Sequence, residues 1–233
     1  MRRAVQRMSI ALVVVTLVAT MGCGKDEPVS STSTSTDGTS SSTESTAAPD
    51  EGQPEAAIWP FANTETRYAD PVAAAVGFAT EYLGFVDPVS EEFQPGDTRS
   101  GEVAIRPSAT GPVTTVMVRQ VDSSDTWWVI GATTTNLQIE SPSALTTITS
   151  PVTVSGQSTA FEGTINLEVR EDGRLDPLAE GHTEGGSMGV MGPFSTSLTL
   201  AESGAEGGAI IVKTMSAKDG NIAEASVIRI RFS

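Results

Sequence analysis

Two periodicities divide the chain. Val72, Val76, Ala79 and Leu83 recur at three- and four-residue spacing, and Ala75, Phe78 and Tyr82 widen the same face. That is the stripe of an amphipathic helix. Asp70-Pro71 supplies a capping carboxylate and a proline at the first helical position, and Gly84 supplies a stop. Gly77 inside the helix costs stability and marks close packing. The period then changes to two. Gly101–Arg106 turns Val103 and Ile105 inward, and Val113–Val121 puts Val116 and Val118 on one face and Met117 on the other. Asp122-Ser-Ser-Asp125 reads as a turn, Thr126–Ile130 as the returning strand and Asn136–Glu140 as a further strand. One helix with three or four antiparallel strands predicts a small α+β domain over residues 55–140.

After a break at Glu140-Ser-Pro-Ser143 the strands shorten and multiply. They are expected at Ser150–Ser158, Gly163–Glu171, Leu175–His182, Phe194–Leu200, Gly208–Thr214 and Ala225–Phe232, with a leading strand at Leu145–Thr149. Asp172-Gly173, Gly185-Gly186, Gly207-Gly208 and Asp219-Gly220 are turn signals between them. About seven such strands predict an antiparallel β-sandwich over residues 141–233.

Several short motifs in this span occur together. They are Ser150-Pro-Val-Thr-Val-Ser-Gly156, Ala160-Phe-Glu-Gly163, Gly192-Pro-Phe194 and Ser216-Ala-Lys-Asp-Gly220, followed by a closing apolar strand. In that order they resemble the immunoglobulin-like domain of bacterial spore germination proteins. The resemblance implies a secreted or lipid-anchored protein and carries no catalytic residues. The span has no cysteine, Trp or Tyr, so the disulfide-and-Trp core of antibody domains is absent. Phe161, Phe194, Leu198, Ile210, Val212, Ile228 and Ile230 are expected to fill the core instead. The fold class is therefore mainly β: an immunoglobulin-like antiparallel sandwich preceded by a small α+β domain and a disordered tether.

The N-terminal pattern is of another kind. Arg2, Arg3 and Arg7 precede an apolar run from Ile10 to Ala19, and Gly22-Cys23 follows. The run is short of the roughly 20 residues that span a bilayer and has the layout of a secretory signal. The Gly22-Cys23 ending resembles the lipobox of bacterial lipoproteins, although Thr20 stands where Leu is usual. The resemblance implies cleavage between Gly22 and Cys23 and acylation of the Cys23 thiol, so residues 1–22 are the leader. Cys23 is the single cysteine of the chain, which leaves no intramolecular disulfide. Residues 23–54 form the tether: Ser30–Thr46 is almost entirely Ser and Thr, and such a segment cannot offset the entropy of ordering itself. About thirty flexible residues span on the order of 30 Å.

Charge narrows the function. There are 14 Lys and Arg against 29 Asp and Glu, a formal net charge of −15. Loss of Arg2, Arg3 and Arg7 with the leader would make the chain more acidic still. Such a surface repels phosphate backbones, which argues against nucleic acid as a partner. Catalytic signals are scarce. His182 is the only histidine and reads as an exposed residue at a strand end, and no Gly-x-Ser-x-Gly elbow surrounds a serine. The glycines of Gly185-Gly-Ser-Met-Gly189 lack the Lys and the helix of a phosphate loop. No metal site and no cofactor is expected. Trp127 and Trp128 are adjacent, so on a strand they face opposite sides; one should be buried and the other partly exposed, a candidate binding surface.

The sequence thus predicts a non-catalytic binding or scaffolding lipoprotein outside the cytoplasm. Acyl groups on Cys23 would hold it to the cell membrane, and a cell-wall polymer or an envelope protein would be its partner. The alternatives are a small-ligand carrier or enzyme with a pocket in the 55–140 domain, using Arg67, Tyr68, Asp70, Tyr82 and Arg119, or an envelope protein of sporulation or germination.

Overall fold

A computed structural model describes residues 53–121 and 123–233. The leader, Gly22, Cys23 and all but the last two residues of the tether, together with Asp122 of the predicted turn, lie outside the described residues.

The helix begins as its cap requires. Asp70 Oδ1 accepts a 2.8 Å hydrogen bond from the Ala73 amide, and α1 runs Pro71–Gly77. The backbone continues as a π-helical segment, Phe78–Leu83, and Gly84 ends it in the left-handed region at φ 89°. Gly77 lies against Tyr68: a Cβ there would come within 2.1 Å of the phenolic oxygen. Close packing at this glycine is therefore real.

Among the described residues fourteen strands follow in two sheets. β1 (Val89–Ser90), β2 (Gln94–Pro95), β3 (Ser100–Arg106), β4 (Thr114–Arg119) and β5 (Trp128–Thr133) precede β6 (Leu137–Ser141) and β7 (Thr147–Ile148). Then come β8 (Val152–Ala160), β9 (Thr164–Glu171), β10 (Ala179–Glu184), β11 (Gly186–Ser187), β12 (Gly192–Leu198), β13 (Gly207–Met215) and β14 (Ile222–Phe232). The larger sheet has the order β1-β3-β4-β5-β14-β13-β9-β10, with β2 beside β3 and β7 beside β14. In the smaller sheet β6 and β12 flank β8, and β11 pairs with the last residues of β8. β7 with β14 and β8 with β11 are the parallel pairs; the others are antiparallel.

The larger sheet carries an apolar cluster on each side. Between the sheets, Leu137, Val154, Ile165, Leu167, Val169, Phe194, Leu198, Ile210, Val212 and Ile230 form the sandwich core. On the outer side the helix and the aromatic segment Trp59–Phe61 cover Val103, Ile105, Val116, Val118, Ala209, Ile211, Ala225 and Val227. Alternation along β13 makes this possible, since Ile210 and Val212 face inward while Ala209 and Ile211 face the helix layer.

Three details differ from the sequence reading. β6, expected with the 55–140 domain, pairs with β8 of the sandwich, and the larger sheet crosses between the two spans where Ala132 of β5 meets Val227 of β14. A division at 140–141 therefore cuts through a shared sheet. β10 starts at Ala179 rather than Leu175, because Asp172-Gly173 turns the chain and Asp176-Pro177 extends the connection; Leu175 is exposed. Phe161, expected in the core, is 58% exposed. The chain turns at Phe161–Gly163, with Glu162 at φ 62°, and this carries the ring outward from the end of β8.

Candidate functional site

The residues first considered for a pocket in the 55–140 span are scattered. Asp70 caps α1. Tyr82 is buried, stacks on Phe78 at 5.1 Å and meets Trp59 and Phe61 at 6.0 and 5.8 Å. Arg67 donates to the carbonyls of Phe61, Ala62, Thr64 and Thr66 and lies over the Trp128 ring at 5.3 Å. Tyr68 packs on Gly77, and Arg119 is exposed at the end of β4. The space between helix and sheet is filled by Phe78, Tyr82, Trp59 and Phe61.

Both tryptophans are buried, which corrects the expectation that one is exposed. Trp127 packs edge-on against Phe93 at 5.2 Å, and Trp128 lies beneath Arg67. The segment at Trp59, which bridges to Val129, and the Arg67 loop cover what would otherwise be a free sheet face. Neither ring is presented as a binding surface. His182 is exposed, on β10 itself rather than at its end. Among the described residues no group of three or more His, Cys, Asp and Glu is placed to hold a metal ion, and no helix is long and apolar enough to cross a membrane.

Charged groups do meet under the helix layer. Glu168 is bonded to Lys213 and Arg170; Arg170 also donates to the Tyr82 carbonyl and stands over its ring at 5.0 Å. Burial alone would raise the Glu168 carboxyl, but Lys213 and Arg170 outweigh it and hold the group below its ordinary value. Asp172 pairs with the Arg229 guanidinium through both oxygens. Both carboxylates of this network, Glu168 and Asp172, are paired with cations of the fold itself, which is the arrangement of a structural joint.

The opposite arrangement occurs at the end of the molecule where the β3–β4, β5–β6, β8–β9, β11–β12 and β13–β14 connections converge. They enclose a groove of about 590 Å³. Val86, Phe161, Met188 and Met215 line it and are 55%, 58%, 74% and 39% exposed. Large apolar side chains grouped at one place mark a contact surface far better than the same residues scattered. Met188 and Glu162, the neighbour of Phe161, both hold positive φ, 53° and 62°. That conformation is costly for residues with a Cβ and concentrates at working sites.

The groove has a polar floor. Glu224 is 4% exposed, and its neighbours on β14, Ala225 and Val227, face the helix layer, so its own side chain reaches the β5–β6 connection. There Thr134 Oγ1 donates to Glu224 Oε2, and Asn136 Nδ2 lies 3.2 and 3.1 Å from the two carboxylate oxygens. Burial raises the Glu224 carboxyl above its ordinary value, and the two neutral donors offset this only in part. Thr159 also lines the groove, and its Oγ1 is buried with no hydrogen-bond partner. The sequence reading passed over Met188, Met215, Val86 and Glu224 and gave Phe161 to the core. The one available signal was an apolar residue next to a turn glycine, in Phe161-Glu162-Gly163 and Met188-Gly189.

A family model described as the immunoglobulin-like domain of bacterial spore germination matches residues 136–221, from the β5–β6 turn to the residue before β14. That family is not known to be catalytic. Neither a curated protein nor a solved structure matches the chain. The span from β6 to the β13–β14 turn is thus similar to the immunoglobulin-like domain of bacterial spore germination, and it contributes most of the groove.

Proposed function

We propose that this is a non-catalytic envelope protein, related to germination through its immunoglobulin-like domain, that binds a partner with the loop end of its sandwich. The observation that carries the reading is the groove itself, where exposed Phe161, Met188, Met215 and Val86 surround a buried polar floor. Pockets that bind have this character: apolar walls with a few placed polar groups. The leader and Cys23 add an acylated anchor in the cell membrane, and the Ser/Thr tether adds reach to the wall or to an envelope protein. The acidic balance of the chain supports a partner other than nucleic acid.

Two measurements test this. Cys23→Ser is expected to move the protein from the membrane fraction to the soluble fraction and to change its migration on a gel; unchanged fractionation sinks the anchor. The Cys23→Ser protein is then sedimented with isolated cell envelopes. Phe161→Ser combined with Met188→Ser is expected to lower the bound fraction at least tenfold with circular dichroism unchanged; equal binding sinks the groove as the contact surface.

A further inference from the structure

The floor of the groove has two unmet demands. The Glu224 carboxylate is buried with only a hydroxyl and an amide as donors, and no cation is among its partners. Thr159 Oγ1 is buried without any partner. The two are neighbours through Asn136, whose carbonyl accepts from the Thr159 amide at 2.9 Å and whose side chain donates to Glu224. A buried carboxylate and a buried hydroxyl oxygen together suit a group that brings positive charge and several donors.

The donor pattern selects among cations. Asn136 Nδ2 already reaches both Glu224 oxygens, so the paired approach of a guanidinium fork is occupied. An ammonium needs only one oxygen from each acceptor. The rim selects for size. Phe161, Met188, Met215 and Val86 stand on four different segments around about 590 Å³, more apolar surface than one aliphatic amine can cover. Methionine adapts to irregular apolar partners. Lys218 and Asp219 at the rim are both exposed and of opposite sign, and the formal charge of −15 favours approach of a cationic segment.

We propose, resting on the groove as the contact surface, that its ligand is a polypeptide segment presenting a lysine between apolar residues. The ammonium lies against Glu224 and Thr159, and the flanking apolar side chains are covered by Phe161, Met188 and Met215.

The test uses full-length protein carrying 13C-labelled methionine methyl groups, titrated with two capped peptides. One is Leu-Ala-Lys-Ala-Leu; the other has norleucine, the uncharged isostere, in place of Lys. The lysine peptide is expected to shift the Met188 and Met215 methyl signals saturably, with a Kd at least tenfold below that of the norleucine peptide. Glu224→Gln is expected to bring the two Kd values within twofold of each other. Equal Kd values for the two peptides on the wild-type protein overturn the lysine proposal and leave the groove standing. No shift with either peptide overturns the proposal, while the reading beneath it is overturned only by equal envelope binding of the Phe161→Ser, Met188→Ser variant. Should Glu224→Gln fail to fold, the comparison of peptides on the wild-type protein decides alone.

Discussion

The inner face of β9, β13 and β14 offers Leu167, Ile210 and Ile230 to the smaller sheet. The outer face of the same strands offers Glu168, Arg170, Lys213 and Arg229 to the helix and the aromatic segment. Apolar packing alone closes the inner face, where alternation in sequence fixes which residues meet. On the outer face, charge fixes position. Arg170 engages a helix carbonyl and Arg229 the Glu55 carbonyl, so each ties a segment before β1 to a strand distant in sequence. A carboxylate largely withdrawn from water exists on each side, with opposite solutions. Glu168 has cations and is held low; Glu224, at the end reached from the inner side, has neutral donors and is raised. The first is finished internally and the second is not, and this separates a structural joint from a site.

The largest expected effect tests whether the two faces form one cooperative unit. Phe78 is fully buried in the outer cluster, so Phe78→Ala should cost about 3–5 kcal/mol. Because both faces share the sheet, thermal melts followed by far-ultraviolet dichroism and by Trp fluorescence should shift together. A sandwich signal that stays at the wild-type Tm would mean that the faces are independent. Glu168→Ala should cost about 3 kcal/mol, since it leaves Arg170 and Lys213 without their shared carboxylate. Glu168 is depressed, so its contribution is complete above the ordinary Glu value and is lost as pH falls through the lower folded value. Denaturant titrations of wild type and variant should therefore converge on acidification. Asp70→Ala should cost about 1 kcal/mol through loss of the cap, measured the same way. The smallest effect has the opposite sign. Glu224 is raised, so its folded form is most favourable below the ordinary Glu value and loses stability as pH rises through the raised one. Glu224→Gln should gain in stability relative to wild type as pH increases, by less than about 1 kcal/mol near neutrality. A loss that grows with pH would show that a cation already accompanies the carboxylate.

Much of this architecture was legible in the sequence, because local patterns dictated it. The Asp70-Pro71 start, the Gly84 stop and the inward Val103, Ile105, Val116 and Val118 all follow from periodicity and capping, and the structure keeps them. Pairing choices were harder to read. Nothing local in Leu137–Ser141 says that it joins β8, and nothing near Trp128 announces the distant Arg67 loop that buries it. The groove was the least legible feature. Its walls come from segments far apart in sequence, and two of them depend on left-handed backbone at Glu162 and Met188, residue types that give no warning of it. Hydrophobicity also misleads there, since Phe161 carries the signature of a core residue.

The position of β14 has a consequence for how the chain acquires its shape. It follows the other described strands in sequence, yet it lies between β5 and β13. During synthesis β5 and β13 emerge before the strand that joins them, and until then each exposes an unsatisfied edge. Ordering must wait for Ile222–Phe232, whose partners were made long before, so folding is expected to be slow and nearly all-or-none.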